Sequence, residues 1–371
     1  MIQYTQTCAD LAALPRPYDI QKNDEEIFTR AMAAADDWHR RRNPSYAALW
    51  PDNGYASAQT PKTDAAHAVL GGNAVSARGP RPLLPVSLFK RENLNTPVDA
   101  PGQWLHSSGS GGKGATGVFF DALSMRHIEQ AMGNIFLHNG LLSAEPSRFL
   151  ILAPDPQSGG QPGYASAFAK FTACAPALER LFAVDGSGLN PELAWATLRR
   201  WSETPAPIYV FGLTVFFEQL RLSGSDPIRL RGPLRGITGG GWKGLNKTLS
   251  RPEVVAGLRD LLSAPLFDIR DIYGMTEHPL HYVSCAQGHF HIPRYSRFFL
   301  MGPDGQGAPF GTSGLIRLQN PFFASLPAHD LLTEDVGVAG QDCACGNALP
   351  YLVFQGRATS PEGTCAHGAT S

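Results

Sequence analysis

The alternation of apolar strand patterns with helical patterns in the middle of the chain most limits the folds open to it. The predicted strands span residues 149–153, 208–211 and 234–238, and the predicted helices span 124–142, 191–201 and a stretch that ends at 222. Strands that alternate with helices form a largely parallel sheet joined by crossover connections. We therefore predict an α/β fold.

The regions on either side of this alternation carry other patterns. Asn23 followed by Glu26 predicts a capping box, at the start of a helix that runs to Arg42. Residues 43–101 are rich in Pro, Gly, Ala and Asn, which predicts irregular structure with at most a short helix. Residues 296–354 hold short apolar runs separated by Gly, Pro and Asp, which predicts a smaller β-rich part.

Composition and charge exclude several classes of protein. The formal net charge of −1 offers no basic field to nucleic acid or to an anionic membrane. Six cysteines in 371 residues are too sparse for a disulfide scaffold. No apolar stretch reaches the ~18 residues of a membrane span, and residues 1–19 lack a signal-peptide pattern. We expect a soluble protein of the reducing cytoplasm.

A segment of glycines and serines follows a short predicted strand at 103–106. Glycine backbones approach an anion closely, and hydroxyl groups with a lysine add further donors to a triphosphate. The segment is not a Walker A loop, because Ser107 replaces the first glycine and Gly114 follows the lysine. The alternative is a flexible linker. The predicted phosphate ligands are Ser107, Ser108, Gly109, Ser110 and Lys113.

Three later motifs, together with this loop, indicate what kind of protein the chain resembles. Residues 273–277 read Tyr-Gly-Met-Thr-Glu, 333–337 read Thr-Glu-Asp-Val-Gly, and 356–357 read Gly-Arg. In this order, with the phosphate loop before them, the motifs resemble those of the adenylate-forming superfamily. Glu334 is a departure, because the superfamily has glycine there. Chains of this class form acyl-AMP from a carboxylic acid and ATP, so the resemblance implies an ATP-dependent enzyme.

Within that superfamily the chain resembles the LuxE acyl-protein synthetases, with phenylacetate-CoA ligases as near relatives. Residues 239–243 read Gly-Gly-Gly-Trp-Lys, an element similar to one in LuxE. Only 14 residues follow Arg357, whereas acyl-CoA ligases carry a further C-terminal domain of ~100 residues. The resemblance implies a large adenylate-forming domain with mixed and parallel sheets flanked by helices, plus a β-rich subdomain, without the full C-terminal domain.

The resemblance also implies domain boundaries. The adenylate-forming domain would span 1–355, and residues 356–371 would form a short mobile tail. Within the domain, the implied parts are a helical and irregular region at about 1–100, an α/β core at 101–280 and a β-rich, zinc-containing part at 281–355.

Roles for individual residues follow from the same resemblance. Thr276 would contact the α-phosphate and Glu277 would hold Mg²⁺, for which a carboxylate oxygen is a suitable hard ligand. Asp335 would accept hydrogen bonds from the ribose hydroxyl groups, with Arg357 close by. The residues implied around adenine are Gly239, Gly240, Gly241, Tyr273 and Gly274.

Two further residues are candidates for catalysis. The lysine that the superfamily normally uses lies in the domain that this chain lacks, so we hypothesise that Lys243 takes its place, with Lys113 as the alternative. Cys365 in the tail would accept the acyl group as a thioester, as LuxE enzymes do near their C-terminus, and pass it to a partner protein such as an acyl reductase. The alternative interpretations are that Lys243 is merely solvated and that Cys365 is an exposed cysteine without a function.

A group of cysteines and histidines predicts a zinc site. Cys285 and His291 precede Cys343 and Cys345, and three thiolates with one imidazole suit tetrahedral Zn²⁺. Four protein ligands leave no open position, so the predicted metal is structural. His291 fits the pattern of phenylacetate-ligase relatives better than His289. Buried free thiols are the alternative.

The sequence leaves three classes of function open. The enzyme would act on a fatty acid, or it would be an aryl-acid or small-acid ligase that uses CoA, a carrier protein or an amine. A zinc-stabilised binding module without catalysis is the third class. His278 and His281 are interpreted as solvated or hydrogen-bonded residues rather than as part of the acyl pocket. Trp104, Phe211 and Trp242 are candidates for the walls of that pocket.

Overall fold

The computed structural model describes residues 2–50, 82–106, 117–158, 163–224, 226–240 and 249–358. Its helices are α1 (Ile2–Ala12), α2 (Asp24–Arg42), α3 (Pro44–Ala48), α4 (Ala122–His138), α5 (Gly163–Ala173), α6 (Pro191–Trp201), α7 (Thr214–Ser223) and α8 (Arg251–Leu261). Its first strands are β1 (Leu84–Pro85), β2 (Gly102–His106), β3 (Gly117–Asp121), β4 (Ser147–Pro154), β5 (Ala177–Asp185), β6 (Gly188–Leu189), β7 (Ile208–Leu213), β8 (Ile228–Arg229) and β9 (Leu234–Gly239). The remaining strands are β10 (Leu262–Ser263), β11 (Phe267–Met275), β12 (His278–Val283), β13 (Phe290–His291), β14 (Arg297–Met301), β15 (Ser313–Gln319), β16 (Asp330–Gly340) and β17 (Tyr351–Arg357).

The chain folds into two compact units. One unit combines residues 1–134 with 274–371, and the other spans 135–273. The chain enters the second unit within α4 and leaves it within β11. Among the described residues, no helix combines the length and the apolar character that crossing a bilayer requires.

The unit of residues 135–273 is built on a parallel sheet. Its strands run in the order β11, β9, β7, β4, β5 and β6; among the described residues of these strands, only the β5–β6 pair is antiparallel. β4 and β7 are almost wholly buried, which matches their continuous apolar sequences, because helices cover both faces of a parallel sheet. The core on one side includes Leu150, Leu198, Trp201, Val210 and Leu234, each at most 2% exposed.

The other unit contains an antiparallel sheet. Its strands run in the order β13, β17, β16, β15 and β14, and β1 pairs with β16 in parallel. α2 is fastened beside this sheet, because Trp38 Nε1 donates a hydrogen bond to Ala324 O over 2.8 Å. Arg317 on β15 and Asp330 on β16 form a buried bidentate pair, with both N···O distances at 2.6 Å. Such pairs fix strand register as well as charge.

The structure confirms most of the predicted elements. The strands at 149–153, 208–211 and 234–238 correspond to β4, β7 and β9, and the helix at 191–201 is α6. The helix predicted to reach 142 ends four residues earlier at His138, and Gly140 then adopts a positive φ of 66°. The β-rich part at 296–354 is confirmed by β14 to β17. The mixed α/β class is therefore the observed one.

The capping box predicted at Asn23 and Glu26 is wrong. Asn23 has helical backbone angles and its side chain caps nothing. Asp24 takes over at this end: its carboxylate accepts a hydrogen bond from Gln21 N at 2.9 Å and forms a buried ion pair with Arg294. The sequence-based predictions also missed α1, β5 and α8. The helix α8 has the capping box that Asn23 lacks, formed by Ser250 and Glu253.

Candidate functional site

The Tyr-Gly-Met-Thr-Glu motif lies at a tight hairpin. β11 ends at Met275, Thr276 and Glu277 form the turn, and β12 begins at His278. Glu277 is only 5% exposed. Burial lowers the local dielectric and so strengthens the attraction between a carboxylate and a divalent cation. Glu277 is therefore a carboxylate at a turn and is shielded from bulk water.

Buried hydrogen bonds connect β12, the second strand of the hairpin, to the segment between β13 and β14. His278 Nε2 lies 2.7 Å from Tyr282 Oη, and Tyr282 Oη lies 2.5 Å from Ser296 Oγ. Burial, with a smaller contribution from His281, lowers the pKa of His278 to about 3. The imidazole is therefore neutral near pH 7 and adds no charge beside Glu277. The interpretation of His278 as a hydrogen-bonded residue is confirmed.

Gly274 is required by its neighbour His281. A Cβ on Gly274 would lie 2.4 Å from His281 Cδ2, so no larger residue fits. His281 Nδ1 donates to Pro279 O over 2.8 Å, and this bond fixes the plane of the imidazole. The motif glycine and the histidine therefore form one packed pair.

The glycines after β9 are likewise constrained. Gly239 pairs with Ile272 across the sheet, and a Cβ on Gly239 would lie 2.4 Å from Ile272 Cγ2. Gly240 has a φ of 67°, which residues with a Cβ rarely adopt. Tyr273 follows Ile272 directly and is 8% exposed. Gly239, Gly240 and Tyr273 thus lie together at the carboxyl ends of parallel strands, where open α/β sheets bind ligands.

Asp335 and Arg357 face each other on neighbouring strands. They are paired in the β16–β17 register, and Asp335 Oδ1 lies 3.5 Å from Arg357 Nε. The Asp335 N–H donates to Thr333 Oγ1 over 3.0 Å, which holds the strand in place around the carboxylate. The resemblance assigned these two residues to one ribose site, and the structure brings them into contact.

Glu334, the departure from the superfamily motif, has a local explanation. Side chains alternate along β16, so Glu334 points away from the face that carries Thr333 and Asp335. Its carboxylate lies 3.1 Å from Lys90 Nζ, in the segment that follows β1. The glutamate is accommodated because its side chain is turned away from the face of Asp335 and is partly exposed, where Lys90 pairs with it.

Part of the predicted site falls outside the described residues. These positions are Ser107, Ser108, Gly109, Ser110, Lys113, Gly241, Trp242, Lys243 and Cys365. Of the remaining candidates for the acyl pocket, Trp104 is 54% exposed and Phe211 is wholly buried. Phe211 packs within 6.3 Å, ring to ring, of Phe136 and Phe149 and serves the core.

The four predicted metal ligands come together in space. The ligand atoms of Cys285, His291, Cys343 and Cys345 all lie within 4.8 Å of one another. Cys285 Sγ and Cys343 Sγ are 3.8 Å apart, and Cys345 Sγ is 3.2 Å from His291 Nε2. Zn–S bonds of about 2.3 Å in a tetrahedron place two sulfurs about 3.8 Å apart. The observed sulfur separation therefore fits such a centre.

Two histidines adjoin this cluster, and their surroundings differ. His291 Nδ1 donates to Leu349 O over 2.9 Å, so its Nε2 carries the lone pair and is directed at the thiols. His289 Nδ1 lies 3.2 Å from Cys343 Sγ, while its ring stacks on Tyr351 at 4.0 Å. The hydrogen bond to a backbone carbonyl is the usual support of a ligating imidazole. His291 is the better ligand, and His289 is placed to donate to a thiolate.

Sequence reasoning missed Arg251, a charged residue that contacts the glycine turn after β9. Arg251 contacts Thr214 Oγ1, the carbonyl oxygen of Gly240 and the carboxylate of Asp271. The Ser250–Glu253 capping box was the available signal, because it places Arg251 at the start of a helix shortly after the glycine triplet.

Comparison with known proteins identifies a family and a fold. The family model described as "Acyl-protein synthetase, LuxE" matches residues 79–367. A search of curated proteins found no match. Among solved structures, 2-hydroxyisobutyryl-CoA ligase in an open conformation with 2-HIB-AMP and CoA aligns with a TM-score of 0.60 and 15% identity, over 88% of this chain and 70% of the ligase.

Two further structures are similar. The same ligase in its thioesterification state has a TM-score of 0.62 at 13% identity, over 92% of this chain and 69% of the ligase. The amide bond synthetase McbA from Marinactinospora thermotolerans has a TM-score of 0.45 at 19% identity, over 68% of this chain and 48% of McbA. This chain thus spans about half the length of McbA. The ligase comparisons show the fold of adenylate-forming enzymes.

Proposed function

The chain belongs to the LuxE acyl-protein synthetase family, and from this membership we propose that it activates a fatty acid as acyl-AMP with ATP and Mg²⁺. One observation carries the proposal: the family match spans residues 79–367 and therefore includes every motif of the predicted nucleotide site. An AMP-forming acid–thiol ligase is the activity that fits this family and this fold.

The reaction has two steps. A carboxylate oxygen attacks the α-phosphorus of ATP; a P–O bond to the acid forms as the bond between the α-phosphorus and its bridging oxygen breaks, and pyrophosphate leaves. A thiolate then attacks the acyl carbon, and AMP leaves as the anion. Glu277 would hold Mg²⁺, which would supply positive charge to neutralise the phosphates, while Thr276 donates to the α-phosphate and Asp335 accepts from the ribose hydroxyl groups. These groups stabilise charge that develops in the transition state, which is how such sites accelerate phosphoryl chemistry.

Acid-dependent exchange of labelled pyrophosphate into ATP tests the first step. Purified full-length protein, ATP and Mg²⁺ are assayed with a panel of fatty, aryl, short-chain and amino acids, and with no acid as the blank. We expect exchange well above the blank with a long-chain fatty acid. If no acid of any class supports exchange, the proposed function is wrong. If an aryl or short-chain acid is the best substrate, the fatty-acid assignment is replaced by that class.

The second step uses Cys365 as the first thiol. A cysteine thiolate relays an acyl group through a thioester, and a partner protein's cysteine accepts it afterwards. The acceptor would be an acyl reductase or a carrier protein, with CoA as the small-molecule alternative. A thioester relay and a thiolate metal site both need reduced cysteines, so we place the enzyme in the cytoplasm.

Replacing Cys365 with serine is expected to abolish covalent labelling by radioactive fatty acid and ATP. The label should be lost because the serine hydroxyl is a much weaker nucleophile. Pyrophosphate exchange should stay near the wild-type rate, because adenylation precedes the transfer. The label is measured on denatured protein before and after hydroxylamine treatment. Cys174→Ser, at an exposed cysteine, is the matched control. Equal, hydroxylamine-sensitive labelling of the Cys365→Ser protein would place the acyl group elsewhere.

Replacing Lys243 with alanine is expected to slow pyrophosphate exchange by at least about tenfold, since one cation of the phosphate site is lost. The proposed role is to neutralise the charge that builds up as the acid attacks. Lys22→Ala removes an exposed lysine from another region and should leave the rate unchanged. A Lys243→Ala rate that matches this control would exclude the role, and Lys113 would be the next candidate.

For the metal cluster we propose structural Zn²⁺ bound by Cys285, His291, Cys343 and Cys345. The donor set is one that zinc prefers, and the sulfur spacing suits its tetrahedron. All four positions are filled by protein atoms, so the ion would stabilise the fold and take no part in acyl transfer. It would tie the segment between β12 and β13 to the segment between β16 and β17.

A further inference from the structure

Arg251 lies at the edge of the parallel sheet where the predicted adenine-binding turn begins. β7 ends at Leu213, β9 ends at Gly239, and Asp271 lies in β11 opposite Thr238. Arg251 is the first residue of α8. All these residues belong to the unit of residues 135–273. The carboxyl edge of a parallel sheet is where ligands of such folds bind.

The guanidinium of Arg251 joins three separate elements at this edge. Nε donates to Thr214 Oγ1 over 3.3 Å, and Nη2 donates to the Gly240 carbonyl oxygen over 3.4 Å. Nη1 forms an ion pair with Asp271. Thr214 Oγ1 also lies 2.9 Å from Thr238 Oγ1. The side chain of Arg251 thus links the start of α7, the turn after β9 and the middle of β11.

The shape of this network suits the control of one peptide group. Gly240 directly follows the end of β9 and has a positive φ of 67°. The hydrogen bond from Arg251 Nη2 to the Gly240 carbonyl oxygen, at 3.4 Å, ties this residue to the start of α8. Thr214 and Thr238 are at most 1% exposed, so the hydroxyl pair beneath the turn is shielded from water. A planar guanidinium with several donors can make these bonds together, whereas lysine cannot.

We propose that Arg251 is a positioning residue that fixes the Gly239–Gly240 turn against the adenine ring of ATP. This inference rests on the proposed function, since it takes ATP as the ligand of the turn. Arg251 acts through the backbone of Gly240 and contacts no reacting atom. It therefore governs how well the base is held and leaves recognition of the acid unaffected.

Steady-state pyrophosphate exchange by Arg251→Ala tests the proposal. We expect the KM for ATP to rise by roughly tenfold to a hundredfold, because small displacements of a binding group cost this much. The KM for the acid should stay within about twofold of wild type, since the proposed role of Arg251 is to hold the turn against the adenine ring. Guanidinium ion at tens of millimolar should lower the ATP KM of the variant again, because it can occupy the vacated place beside Asp271. Urea at the same concentration should not.

Arg259→Ala is the matched control, because Arg259 is exposed on the same helix and its guanidinium lies over the Phe267 ring. Its ATP KM should equal that of wild type, with or without guanidinium. A structural role alone would lower the active fraction and hence kcat, with both KM values unchanged. That result, or a parallel rise of both KM values, or no rescue by guanidinium, overturns the proposal.

Asp271→Asn provides a second variant if Arg251→Ala does not fold. It keeps the shape of the side chain but removes the charge that orients Arg251, so the ATP KM should again rise and the acid KM should not. An unchanged ATP KM in Asp271→Asn, with Arg251→Ala unfolded, also rejects the proposal. Wild-type protein without any acid-dependent exchange would reject the proposed function itself. An active wild type with an unaffected Arg251→Ala variant rejects only the positioning role.

Discussion

Replacement of Glu277 with glutamine is expected to slow acid-dependent pyrophosphate exchange by roughly 100- to 1000-fold, as for loss of a main electrostatic group in other active sites. Glu277 lies at the β11–β12 turn and is 5% exposed. Glutamine has nearly the same shape, so the hairpin should be preserved. Its neutral amide oxygen is a poor ligand for Mg²⁺, and the charge of the triphosphate would then lack its counterion.

The dependence on Mg²⁺ separates this cause from damage to the fold. The variant should need a higher concentration of Mg²⁺ for half-maximal exchange, while its thermal unfolding without nucleotide stays close to that of wild type. Glu192→Gln, at an exposed acid in the first turn of α6, is the matched control and should change neither quantity. If Glu277→Gln exchanges pyrophosphate at the wild-type rate and with the same Mg²⁺ dependence, Glu277 does not hold the metal.

The parallel core could be predicted because its signal is local. β4 and β7 contain unbroken apolar runs at 149–153 and 208–211, as strands covered by helices on both faces of a parallel sheet do, and such runs are visible without any knowledge of contacts. α6 was predicted to its ends because Asn190 caps it and Pro191 starts it. In these places the chain's near neighbours decide its conformation.

The start of α2 shows where local reasoning fails. Asn23 and Glu26 have the spacing of a capping box, yet Asp24 takes part in a buried ion pair with Arg294, 270 residues away. Leaving the buried carboxylate of Asp24 without its ion pair would cost far more free energy than losing the side-chain cap of the helix. The sequence contains both residues but not their proximity.

The candidate site divides in the same way. The order of the motifs pointed to Gly239, Thr276, Glu277 and Asp335 from the sequence alone. The residues that contact this site could not be found from the sequence, because they are far from it along the chain. Lys90 is 244 residues from Glu334, and Arg251 is 37 residues from Thr214. Supporting residues follow no motif spacing, since any element that passes nearby can supply them.

The metal cluster lies between these cases. Cys343 and Cys345 were suspected from their spacing, but their meeting with His291 depends on the β13–β17 ladder, in which His291 pairs with Tyr351. That ladder brings together segments more than 50 residues apart in the chain. The sequence therefore suggested the ligands, and the antiparallel pairing explains how they converge.

Replacement of Cys343 with serine is expected to reduce bound zinc from one equivalent per chain to near zero. Each thiolate supplies a strong bond, and a three-ligand remnant holds zinc far less tightly. Loss of the ion should destabilise the unit that contains the β-rich sheet by at least about 3 kcal/mol, because free energy of structural metal binding is also free energy of folding. For a unit of this size, that corresponds to a fall in Tm of about 6–12 °C.

Zinc content by elemental analysis and Tm by calorimetry check this expectation on protein purified without chelator. Cys174→Ser, at an exposed cysteine outside the cluster, should keep both the metal and the Tm. The histidine variants assign the fourth ligand: His291→Ala should lose zinc, whereas His289→Ala should keep it, because only His291 has its Nδ1 committed to a backbone carbonyl. Wild-type protein without zinc, or His289→Ala without it and His291→Ala with it, would reject this ligand set.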